Sequence, residues 1–144
     1  MKTVVLSAVI GAALAASSQA AEPFMYKFDG SFDEATFAVE SAIVGQGLVI
    51  DYVSHVGKML NRTGADVGSS KEIFKNADIF IFCSAVVSRQ VMEADPMNIA
   101  YCPYGIFVLE NDEGVSIGHH DYPDGPMQAV ENLLQQIVAE AVGN

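Results

Sequence analysis

Cations are scarce in this sequence: seven Lys and Arg stand against eighteen Asp and Glu, for a formal net charge of −11 over 144 residues. A field of that sign repels phosphate backbones and anionic lipid surfaces, which argues against nucleic-acid and membrane-surface binding. The acids are scattered rather than massed in one tail, so they read as a solvated surface that keeps the chain soluble. Long apolar runs are equally few. The one from Thr3 to Ala16 stops short of the ~20 residues that a membrane span needs. There is no nucleophile elbow, phosphate loop, dinucleotide fingerprint or His-Glu-x-x-His helix, so no motif names a reaction. Internal repeats and low-complexity tracts are also missing.

The N-terminus carries a positive Lys2, the apolar run, and then Ser17-Ser18-Gln19-Ala20 before Ala21. Charge, apolar stretch and small residues in that order are the three regions of a secretory signal, with cleavage expected between Ala20 and Ala21. The expectation is a 1–20 signal peptide and an exported protein, periplasmic or secreted. No Cys follows the cleavage site to take a lipid, so no membrane attachment is expected after cleavage. Residues 21–144 have the size of a single domain. Removing Lys2 takes the formal charge to −12.

Along that domain, Phe24–Phe28 alternates like a half-exposed strand, and Asp29-Gly30 turns the chain. Ser31 and Glu34 have capping-box spacing, and Phe32, Ala35, Val39, Ala42 and Ile43 recur on one helical stripe that Gly45 or Gly47 can end. Leu48–Val53 reads as a second strand, and Ser54–Asn61 as a short helix. A further Ser-x-x-Glu at Ser69–Glu72 predicts a helical turn. Ile79–Cys83 is continuously apolar, as expected of the central strand. A helix over Val86–Met92 should close at Asp95-Pro96. Tyr104–Glu110 and Val115–His119 form a hairpin about Asn111–Gly114. A last helix carries Val130, Leu133, Leu134, Ile137 and Ala141 inward, with Pro126 in its first turn. Because βαβ alternation fails at the hairpin, the order predicts an α+β fold: a two-layer sandwich, mostly antiparallel sheet with two main helices, β-α-β-β-β-β-α-like with short inserted helices.

Local strings add a resemblance. Phe82-Cys83-Ser84-Ala85 ends a buried strand, Ser88-Arg89 and Asp95-Pro96 lie in the next helix, Cys102-Pro103-Tyr104 opens another strand, and Val108-Leu109-Glu110 precedes the hairpin. With the opening strand and helix, these make residues 21–144 resemble the domain of unknown function 302 family. The resemblance implies a two-layer fold in the same broad group as the TATA-binding protein, but it implies no reaction and no DNA binding. Members commonly carry Cys-Asn-Pro or Gly-Asn-Pro where this chain has Cys83-Ser84-Ala85, and Pro-Cys-Arg where it has Pro103-Tyr104-Gly105. No catalytic residue carries over.

Two Cys in an exported chain favour a disulfide, and antiparallel strands would bring Cys83 and Cys102 to one sheet edge. Separately packed thiols, or a redox or sulfur-handling pair, are the alternatives. His119 and His120, with His55 as a third imidazole, are the metal candidates. Adjacent strand residues face opposite ways, however, and the usual paired ligand spacings are absent. No cofactor is expected. The leading expectation is therefore an exported, non-catalytic binding or accessory protein for a small molecule or protein partner, with room for a homodimer. An apolar pocket lined by Tyr104, Phe107 and their neighbours would favour the small ligand, whereas a flat apolar sheet face or an exposed edge would favour self-association.

Overall fold

The structure is a computed structural model that describes residues 22–143. The segment expected to be a signal peptide, with its expected Ala20–Ala21 cleavage junction, lies outside the described residues. The elements run β1 (Phe24–Phe28), α1 (Phe32–Gly45), β2 (Ile50–Ser54), α2 (Val56–Thr63), β3 (Asn76–Phe82), α3 (Ala85–Ala94), β4 (Tyr104–Asn111), β5 (Gly114–His119) and α4 (Gln128–Val142). Short 3-10 turns at Ala65–Val67 and Pro96–Tyr101 interrupt the connections. The five strands form one antiparallel sheet in the order β1-β5-β4-β3-β2. The fold is thus the expected α+β arrangement.

Helix α1 starts where its sequence says it should. The Glu34 N–H donates to Ser31 Oγ at 3.2 Å, while the Ser31 N–H donates to Glu34 Oε2 at 2.8 Å, so two otherwise free helix-end donors are satisfied. It ends through Gly47, whose φ of +74° suits a residue without Cβ, as the Leu48 N–H folds back to the Ile43 carbonyl. Its stripe of Ala35, Val39, Ala42 and Ile43 is buried against α4 and the sheet.

The period of two along each strand decides which side chains form the core. On β4, Tyr104, Ile106 and Val108 are buried, and their registers pair them with Phe80 and Phe82 of β3 and with Ile117 and His119 of β5. Helices α1 and α4 cover that face, with Val130, Leu134, Ile137 and Ala141 of α4 completing the core. The outer face carries Ile79, Ile81, Phe107 and Leu109, all half-buried. Gly118 is needed there: a Cβ would stand 2.6 Å from the Phe24 carbonyl oxygen and collide with the Phe107 ring.

Four expectations need correcting. The middle strand of the five is β4; β3, also paired on both of its edges, lies beside it because β2 alone stands outside β3 whereas β5 and β1 both stand outside β4. Ser69–Glu72 is not helical: Ser69 Oγ accepts from the Lys71 N–H, two residues on at 3.4 Å, and the segment leads into β3 without regular secondary structure. Pro126 lies before α4, in a turn closed by the Gln128 N–H to the Gly125 carbonyl at 3.1 Å. Tyr104 and Phe107 are three apart on one strand and so occupy opposite faces, which prevents them from lining one pocket.

Candidate functional site

The last β3–β4 pair is Phe82 with Tyr104, so Cys83 and Cys102 emerge side by side just beyond the ladder. Their sulfurs are 2.8 Å apart and both residues are half-buried. The Cys102–Pro103 peptide is cis. Directly after Cys83, the Ser84 hydroxyl accepts the Val87 N–H at 3.2 Å and so starts α3. Burial first, and the neighbouring thiol second, push the Cys83 thiol up to about 11. At neutral pH it is therefore a thiol, a poor nucleophile.

Tyr104 continues inward from this edge, its hydroxyl 3.0 Å from Ser88 Oγ on α3, and burial raises its pKa. Beside it stands Tyr122, only 6% exposed, with its pKa pushed up to about 12 by burial. Three rings meet Tyr122 edge-on: Tyr104 at 6.4 Å, Tyr101 at 6.1 Å and His120 at 6.5 Å between centroids. Tyr101, His120 and Tyr122, with Ala100, Pro103 and Asp121, line an open cleft of about 290 Å³. Cys102 lies between Tyr101 and Pro103 in sequence, so one sulfur of the pair sits within the chain that forms one wall of the cleft.

The polar groups of the interior gather at this same end. Among the described residues, the buried polar or charged ones are Ser84, His119 and Glu131. The Glu131 carboxylate accepts the Tyr122 N–H at 3.1 Å and so holds the aromatic hub from α4. It stands on the otherwise apolar stripe of that helix, the one sign in the sequence that could have marked it. His119 is fully buried, stacked on Phe24 and Tyr26. Its Nδ1 lies 2.8 Å from the His120 carbonyl, which can only accept, so Nδ1 carries the proton and Nε2 is left as an unpartnered acceptor. Burial holds its pKa below the ordinary value.

The three imidazoles are not brought together. His119 points into the core, His120 to the surface cleft, and His55 sits at the far end of the sheet with its Nδ1 2.8 Å from Asp78. Among the described residues, no three His, Cys, Asp or Glu side chains are grouped to hold a metal ion. Tyr101, Asp121 and Tyr122 are the site residues that periodicity passed over. Their signal was the pairing of aromatic residues with proline in Tyr101-Cys102-Pro103-Tyr104 and Tyr122-Pro123, at the ends of strands.

Residues 24–144 match the family described as Domain of unknown function DUF302. The chain belongs to this family. A crystal structure of an uncharacterized conserved DUF302 protein from Bacillus stearothermophilus is similar, with a TM-score of 0.66 over 84% of this chain and 95% of that one, at 12% sequence identity. At that identity the likeness establishes the DUF302 fold and says nothing of chemistry. No curated protein matches the chain in sequence. Among the described residues, no helix is long and apolar enough to cross a membrane.

Proposed function

We propose that this DUF302 domain is an exported, non-catalytic binding protein that takes a small ligand in the cleft between Tyr101, His120 and Tyr122. The observation that carries this reading is the cleft itself: about 290 Å³, walled by aromatic rings, and placed where the interior concentrates its buried polar groups. Binding sites favour such concave, largely apolar places with a few polar groups. Export fits the sulfur pair. In an oxidising space the two thiols pass two electrons and two protons to an external disulfide, which leaves as two thiols, and an S–S bond then fastens the cleft wall to β3.

The test is chemical-shift mapping of the ¹⁵N-labelled protein against small molecules of mixed charge and size. Saturable shifts should cluster at residues 100–103 and 119–124. Finding none anywhere on the protein, or finding turnover that a point mutation abolishes, would overturn the reading.

A second reading, as a thiol-handling protein, is favoured by one observation: neither Cys83 nor Cys102 is fully buried. With the Cys83 thiol held near 11, the form able to act is the oxidised one, attacked by an external thiolate. Alkylation of protein purified without reductant separates the two. A bond that glutathione leaves intact supports the fastening role, and ready reduction supports exchange.

A further inference from the structure

The walls of the cleft define a class of ligand, an inference that rests on the cleft being a binding site. Tyr101 meets Tyr122 at 63° and His120 meets it at 84°, so neither ring gives Tyr122 a parallel partner between which a flat ring could be sandwiched. A flat aromatic ligand needs parallel faces to stack between. A rounded group needs surfaces that converge from several directions, as aromatic cages offer to alkylated ammonium ions. Ala100 and Pro103 extend the apolar wall, and Asp121 is among the residues that line the same cleft.

The groove continues past these rings. Tyr101, Asp121 and Tyr122 also line an adjoining hollow of about 440 Å³, where Pro123 and Asp124 complete the wall. Neither hollow has a Lys or Arg among its lining residues. Aromatic residues with two aspartates and neither Lys nor Arg favour a positive ligand over a neutral or negative one. The net charge of −11 enriches cations around the whole molecule. A bare ammonium, strongly hydrated, would lose its water against Ala100 and Pro103, whereas an alkylated one carries methyl groups that suit those walls.

We propose that this groove binds an alkylated ammonium group. The rings of Tyr101, Tyr122 and His120 contact its methyls, and Asp121 and Asp124 supply the opposing charge.

Titration with choline, and with its uncharged isostere in which a tert-butyl group replaces trimethylammonium, tests this by calorimetry and chemical-shift mapping. Choline is expected to bind at the cleft at least about tenfold more tightly than the isostere. Tyr101→Ala and Asp121→Asn, both at exposed positions, should each weaken choline about tenfold while unfolding as the parent does. Isostere binding as tight as choline's, at the same residues, would overturn the cation proposal and leave the cleft standing as a binding site. So would cleft shifts from neutral or anionic molecules with none from choline. Silence of the cleft toward every probe would overturn both.

Discussion

The middle of the core and the sulfur-bearing end of the sheet are built from opposite materials. In the middle, Val39, Ile43, Ile106, Val108, Ile117, Leu134 and Ile137 are fully buried and apolar. At the end lie a buried imidazole, a buried carboxylate reaching in from α4, two tyrosines raised in pKa and two sulfurs 2.8 Å apart. Burying polar groups costs free energy unless each is paired, and the orphaned Nε2 of His119 is not. The first region stabilises the fold. The second carries a stability cost at the unpartnered Nε2 of His119.

Mutations should separate the two. The largest loss is expected in the middle: Leu134→Ala removes a fully buried side chain and should cost about 2–5 kcal/mol in denaturant unfolding, with the cleft's binding unchanged in what remains folded. Opening the sulfur pair comes next. If it closes as proposed, Cys83→Ser with Cys102→Ser should lower stability by about 3 kcal/mol relative to oxidised protein, and by almost nothing relative to reduced protein. Glu131→Ala leaves the Tyr122 N–H without its acceptor and should cost about 1–3 kcal/mol, along with a change in the tyrosine near-ultraviolet signal that Leu134→Ala lacks while folded.

The smallest effect is that of pH on His119. Burial keeps the folded imidazole's pKa below the ordinary value of about 6.5, so above that pH neither folded nor unfolded state is protonated. As the pH falls through 6.5, the unfolded chain takes up a proton that the folded one refuses. Stability should then decline by up to about 1.4 kcal/mol per pH unit until the folded state protonates as well. Unfolding curves for wild type and His119→Leu, measured from pH 7.5 downward, should diverge in slope over that window. Equal slopes would mean that His119 is not the group responsible.

Much of the stabilising region was legible in the sequence, because periodicity reports burial. The stripe from Ala35 to Ile43, the Ser31–Glu34 cap, β1 to the residue and the hairpin about Asn111–Gly114 all follow from local rules. The meeting of Cys83 and Cys102 was legible in outline, since it needed only that β3 and β4 be antiparallel. Strand order was not, because β3 and β4 are both apolar and both lie inside the sheet, so their composition does not say which is the middle one. Ser69–Glu72 misled because its serine serves a local turn instead of a helix end. The cleft was the least legible part. Tyr101 and Tyr122 are twenty-one residues apart and belong to no repeating pattern, so only the fold shows that their rings meet.

The most direct test of the division between these regions is Tyr101→Ala, which alters the cleft at a residue 41% exposed and outside the core. Its melting temperature and its affinity for any molecule that shifts the wild-type cleft should be measured in the same preparation. The division predicts an unchanged melting temperature and a lost or sharply weakened affinity. Full affinity, or a fall in melting temperature large enough to account for the lost binding, would contradict it.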